Sequence, residues 1–150
     1  MSNSASTRIQ RSALVPYSAT QMYTLVADVE RYSEFLPWCK RGSIVTQTGS
    51  EVLARLDIAR GPLHKSFTTR NRMYPGERID LSLVDGPFRQ LEASWQFANL
   101  GSDGSHVSLV MEFEIATRLL RMTLAPVFSE IANSMVEAFC KRATTLYAGQ

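Results

Sequence analysis

The chain has 150 residues, 45% hydrophobic and 20% charged, with a formal net charge of +2 at pH 7. That length suffices for one domain that withdraws roughly 70% of its unfolded surface from water, and so small a charge forces no polyanion partner. Cys39 and Cys140 are the only two cysteines, far apart and outside any CxxC or Cys/His grouping. This excludes a disulfide framework or a zinc site from the leading readings and fits a reducing compartment.

In chain order, residues 1–7 are polar and Ser-rich, with no apolar block of the secretory kind. They read as a disordered lead to a single domain over 8–148 in a cytoplasmic protein, and no apolar run approaches the ~20 residues of a membrane-spanning helix. Residues 9–15 form a first strand that Pro16 ends. Ser18 is a good N-cap, and Gln21 three residues on completes a capping box. Met22, Leu25, Val26 and Val29 mark the apolar stripe of a first helix, and 30–36 reads as a second helical piece stopping before Pro37.

Over 43–115 the turn signals Gly49-Ser50, Gly61-Pro62, Pro75-Gly76, Asp85-Gly86-Pro87 and Asp103-Gly104 cut the chain into strand-length segments. Val52, Ala54, Leu56 and Ile58 share one face, as do Ile79, Leu81 and Leu83. Leu91, Ala93, Trp95 and Phe97 alternate in the same way, and so do Val107, Leu109, Met111, Phe113 and Ile115. Such alternation describes antiparallel strands with one covered face and one wet face. The cover is the last helix, 119–147, whose Leu120, Leu124, Phe128, Ile131, Met135 and Phe139 recur at helical spacing. Pro126 either opens this helix or kinks a longer one, and Gly149 offers a stop. The expectation is an α+β fold of order β-α-α-β6-α: a curved antiparallel sheet of about seven strands, with the terminal helix roofing an apolar cavity.

Several strings go further than periodicity. They are Val15-Pro16-Tyr17-Ser18-Ala19, Phe35-Leu36-Pro37-Trp38-Cys39, Phe67-Thr68-Thr69-Arg70-Asn71 and Val84-Asp85-Gly86-Pro87-Phe88. Pro126-Val127-Phe128 and Met135-Val136-Glu137-Ala138-Phe139 join them in the last helix. Together, over residues 8–147, the chain resembles the START-like, helix-grip superfamily (polyketide cyclase and lipid transport), and within it the coenzyme Q-binding and RatA-type ribosome-association toxin branch. The resemblance implies a curved sheet wrapped around a long terminal helix. It also implies one of two functions. Some members bind ubiquinone in support of respiration, while bacterial relatives are described as toxins that associate with the ribosome.

The leading expectation is a non-enzymatic carrier of ubiquinone or a related isoprenoid lipid. It needs no other cofactor and makes transient, peripheral contact with the inner face of the membrane. Its cavity would be lined by Phe67, Leu83, Trp95, Phe113, Phe128, Ile131 and Met135, with Phe88 at the rim. If Phe67 faces inward, Thr69 and Asn71 follow at period two. They either satisfy one another, the backbone or a trapped water, or they hold the oxygens of a quinone head. Phe35, Leu36 and Trp38 are core beneath a loop, or else a gate or lipid-facing wedge.

The alternative is a RatA-type toxin that associates with the large ribosomal subunit, blocks subunit joining and so inhibits translation. It would act through the outer surface. There, Arg70, Arg72 and Arg78 form either a solvated sheet face or a patch for anionic lipid or ribosomal RNA. No aromatic residues interleave with them, and nothing points to DNA. No catalytic or metal residues are assigned. His64 and His106 are isolated, and the chain has no phosphate loop, no HExxH and no nucleophile elbow.

Overall fold

The computed structural model describes residues 6–149. Its elements are β1 (Ser6–Val15), α1 (Ala19–Ala27), a 3₁₀ helix (Val29–Glu34), β2 (Cys39–Thr48), β3 (Glu51–Arg60), β4 (Leu63–Tyr74), β5 (Arg78–Asp85), β6 (Phe88–Asn99), β7 (Ser105–Ile115) and α2 (Arg118–Tyr147). All seven strands lie in one antiparallel sheet of order β1-β7-β6-β5-β4-β3-β2. Strands β2 to β7 run as a meander, and β1 closes the order beside β7. This is the helix-grip fold, α+β, with α2 along the inner face of the sheet. Of the lead expected over 1–7, residues 1–5 lie outside the described residues, while Ser6 and Thr7 already pair with Glu114 and Phe113.

Period two explains the sheet. Across β6 and β7, Leu91 stands opposite Phe113, Ala93 opposite Met111, Trp95 opposite Leu109 and Phe97 opposite Val107, all directed to the covered side. Helix α2 meets them with Leu124, Phe128, Ile131, Ala132, Met135, Val136, Phe139 and Ala143, every one buried. The stripe stops there, since Leu146 is exposed. Pro126 lies within α2 rather than at its first turn, because the helix begins earlier, where the Thr117 side chain accepts the Leu120 N–H. At α1 the capping box forms in both directions: the Ser18 hydroxyl accepts the Gln21 N–H at 3.0 Å, and the Gln21 amide oxygen accepts the Ser18 N–H at 2.8 Å.

The second helical piece differs from the expected 30–36. It is 3₁₀ and spans Val29–Glu34. Asp28, at φ −85° and ψ 68°, breaks the α-helical ladder. The buried Tyr32 hydroxyl then donates to the Val26 carbonyl and ties the short helix back to α1. Strand β2 packs hard against this helix at Gly42, which is buried, and a Cβ there would collide with the Val29 carbonyl oxygen. Gly42→Ala should therefore destabilise by about 1–3 kcal/mol, the usual cost of overpacking. A lowered urea midpoint with unchanged slope would show it; an unchanged midpoint would mean that the helix shifts freely.

Candidate functional site

Between α2 and the inner face lies a cavity of about 60 Å³. Its walls are apolar apart from Tyr32, Thr69 and Asn71: Val29, Trp38, Ala54, Leu56, Phe67, Leu81, Leu91, Ala93, Trp95 and Met111, roofed by Phe128, Ile131 and Met135. The space arises where Ala54 of β3 and Ala93 of β6 place small side chains beneath α2. Of the residues the sequence reading names, Trp38, Phe67, Thr69, Asn71, Trp95, Phe128, Ile131 and Met135 border this one space.

Five others do not line it. Phe88 and Phe113 pack behind Phe128, with ring centroids 4.9 and 4.8 Å from its own, and fill one end of the core. Leu83 sits beyond Ser82–Glu92, the last pair joining β5 to β6, and is only half-buried. Phe35 stacks edge-on against Phe139, and the Arg142 guanidinium lies over its other side. With Leu36 it faces an outer groove of about 690 Å³, bounded by Pro37, Trp38, Arg60, Glu130 and Lys141. Trp38 borders both spaces. The Arg60–Glu130 ion pair, 2.6 Å, spans the groove from the end of β3 to α2.

Thr69 and Asn71 are 4% and 5% exposed, so both need partners. They find each other: the Thr69 hydroxyl donates to the Asn71 amide oxygen at 2.6 Å. Asn71 borders both the cavity and a neighbouring void of about 20 Å³. Removing one partner leaves the other buried and unpaired. Asn71→Leu or Thr69→Val alone should therefore cost about 1–3 kcal/mol, and the double variant clearly less than their sum. Additive losses in a denaturation cycle would show that the pair is not coupled.

The outer face is charge-balanced where the sequence places its arginines. Arg70 pairs with Glu51 at 3.0 Å and Arg78 with Asp80 at 3.1 Å, while Arg72 stands opposite Asp80 in the ladder. Glu92 and Glu112 share the same shallow depression. Arg78 also lies 4.2 Å over the Tyr74 ring. Two of the three are ion-paired and all lie on a solvated sheet face among acidic neighbours rather than in a continuous positive patch.

His64 and His106 stand on β4 and β7, three strands apart in the sheet order. Among the described residues no three His, Cys, Asp or Glu side chains converge as metal ligands, and no helix is long and apolar enough to cross a membrane. Sequence reading missed Val29, Tyr32, Ala54, Leu56, Leu81, Leu91, Ala93 and Met111 as cavity walls. Alternation had turned the last six inward, but direction alone does not say which inward residues border the empty space.

Comparison with known proteins adds a lineage to this geometry. Residues 15–140 match the family described as polyketide cyclase / dehydrase and lipid transport. A Pseudomonas aeruginosa protein named ribosome association toxin RatA is 46% identical, over 95% of this chain and 99% of its own length. A mitochondrial coenzyme Q-binding protein, COQ10 homolog B of Xenopus laevis, is 31% identical over 93% of this chain and 59% of its own. Among solved structures, the Zhui aromatase/cyclase of a Streptomyces species superposes with a TM-score of 0.82, covering 96% of this chain and 98% of its own at 15% identity, a likeness of fold alone.

Proposed function

The chain belongs to the polyketide cyclase / dehydrase and lipid transport family, and from that premise we propose that it is a non-enzymatic, ribosome-associating protein of the RatA type. It binds the large ribosomal subunit and hinders subunit joining, so that translation falls. The observation that carries this reading is the end-to-end match to the Pseudomonas toxin, at an identity well above that to the coenzyme Q-binding relative. The geometry agrees with it. The interior is almost closed, with about 60 Å³ of space against the roughly 300–1,000 Å³ of ordinary ligand pockets, which leaves the outer surface to make the functional contact. The test is to mix purified small and large subunits with the protein and follow joining by light scattering. Joining should fall as the protein approaches the subunit concentration, and an unaltered amplitude at large excess would refute the reading.

One observation favours a second reading. Asn71 and Thr69, two of the three polar residues in a mainly apolar cavity, place an uncharged amide and hydroxyl where the oxygens of a quinone head would sit. An isoprenoid tail gains ~0.8 kcal/mol per buried CH₂ relative to water, but little relative to a membrane, so such a protein would shuttle rather than store. Trp38, which lines both the cavity and the outer groove, stands where a ligand would pass between them. Organic extraction of the purified protein, followed by mass spectrometry, should then yield a quinone near one per chain. Extracts free of quinone would remove this reading and leave the first untouched.

A further inference from the structure

Where β2, β3 and β4 meet at one end of the sheet, a groove of about 580 Å³ is lined by Lys40 and Arg41 of β2, Asp57 and Ile58 of β3, and His64, Lys65 and Ser66 of β4. The register places Arg41 opposite Asp57 and Asp57 opposite Ser66. Asp57, the groove's single carboxylate, is already engaged. Its Oδ1 accepts the Ser66 hydroxyl at 2.6 Å and the Arg55 Nε–H at 3.1 Å. The Ser66 hydrogen bond, with Arg55 and Arg41 nearby, holds its carboxyl below the usual aspartate range.

Lys40, Arg41 and Lys65 therefore have no carboxylate partner among the described residues. Arg55, Arg60, Arg70, Arg78 and Arg89 each face a carboxylate within 3.1 Å, whereas Arg8 and Arg11 on β1 and Arg72 on β4 also lack an ion pair among the described residues. What sets Lys40, Arg41 and Lys65 apart is that three such cations share one depression, which reaches the edge strand β2. No phenyl, phenol or indole ring lines the groove. That matches contact with a phosphate backbone rather than with stacked bases.

We propose that this groove is where the chain meets the phosphodiester backbone of large-subunit RNA. The inference rests on the ribosome-association reading and says which surface carries it. Ammonium, guanidinium and imidazole donors set around a groove suit successive phosphates, and such contacts release counterions. Binding is then steeply salt-dependent and tolerant of sequence.

The test measures affinity for purified large subunits, and for protein-free RNA extracted from them, between 50 and 200 mM KCl. Wild type is compared with a Lys40→Gln/Arg41→Gln/Lys65→Gln variant and with an Arg8→Gln/Arg11→Gln control on β1, the opposite edge of the sheet. The groove variant should lose about 2–3 units of slope in log K against log salt on both targets, roughly one per phosphate contact, while the control keeps the wild-type slope. Equal slopes for the groove variant and wild type on subunits would overturn the groove assignment and leave ribosome association standing. Wild-type binding to subunits but not to extracted RNA would replace the phosphate backbone with an acidic protein surface. Wild type that binds no subunits would end both readings together.

Discussion

Phe128→Ala should unfold at a temperature lower by about 6–20 °C, the equivalent of about 3–5 kcal/mol for a chain of this size. Phe128 is 3% exposed, and its ring meets those of Phe67, Phe88 and Phe113 at centroid distances of 5.9, 4.9 and 4.8 Å. It is the residue through which α2 grips the end of the sheet. Truncation removes edge-to-face contacts on three sides, and these rings belong to strands whose positions the ladder fixes, so they cannot collapse into the gap. Because Phe128 also roofs the cavity, its loss enlarges that space. Apolar voids of about 150 Å³ take up benzene, so the variant should recover part of its stability when benzene is added, and wild type should not. Leu119, 75% exposed on the same helix, is the contrast: Leu119→Ala should change stability by less than about 0.5 kcal/mol. Comparable losses from the two variants would contradict the packing described.

The second large effect is alkaline. Burial pushes the Cys39 thiol from 9.0 up to about 11, with nearby Asp57 adding to the rise. Burial also raises the fully enclosed Tyr32 phenol far above its ordinary 10.0, and Cys39 and Asp28 contribute. Both groups are neutral when protonated, and the fold favours that form. Below pH 9 neither group ionises in either state, and the stability they permit is fully present. From pH 9 the unfolded chain releases the Cys39 proton while the folded chain keeps it, and from pH 10 the same holds for Tyr32. The folded state then binds more protons, so stability falls as pH rises. Cys39 alone should account for a loss on the order of 2 kcal/mol by pH 11. Urea midpoints between pH 8 and 11 should decline in wild type, and Cys39→Ala should flatten the first part of that decline. Tyr32→Phe should flatten the later part, from a lower starting stability because the bond to Val26 is gone. A wild-type profile level to pH 11 would contradict the burial of both groups.

These two predictions mark how far the sequence was legible. Phe113 and Phe128 were readable as inward-facing because alternation on β7 and the helical period of α2 are strong signals, whereas Phe88 is out of phase with Leu91 and Trp95 and turns inward through the register shift between Phe88 and Gln90. The capping box at Ser18 was readable because its chemistry is local. Tyr32 was not. Its role depends on a backbone break at Asp28 and on the close approach of β2 at Gly42, and neither leaves a periodic trace. The cavity was legible as a direction but not as a volume. Phe88, Phe113 and Leu83 face the same side as its walls, yet only the packed side chains show that the space ends before reaching them. For Arg70 and Arg78 the sequence left a solvated sheet face or an anion-binding patch; Asp80 shares a face of β5 with Arg78 at period two, but Glu51 reaches Arg70 only through the pairing of β3 with β4. Strand pairing likewise makes the groove at Lys40 and Arg41, whose one acid, Asp57, is engaged by Arg55 and Ser66.

The central claim is that a nearly filled helix-grip core presents an outer surface to the ribosome. Sedimentation of a cell lysate through a sucrose gradient at low salt, with the protein at its native level, tests this most directly. The account predicts that the protein travels with free large subunits and moves to the top of the gradient when the lysate is prepared in high salt. A protein that stays at the top under both conditions, apart from every ribosomal particle, would contradict it.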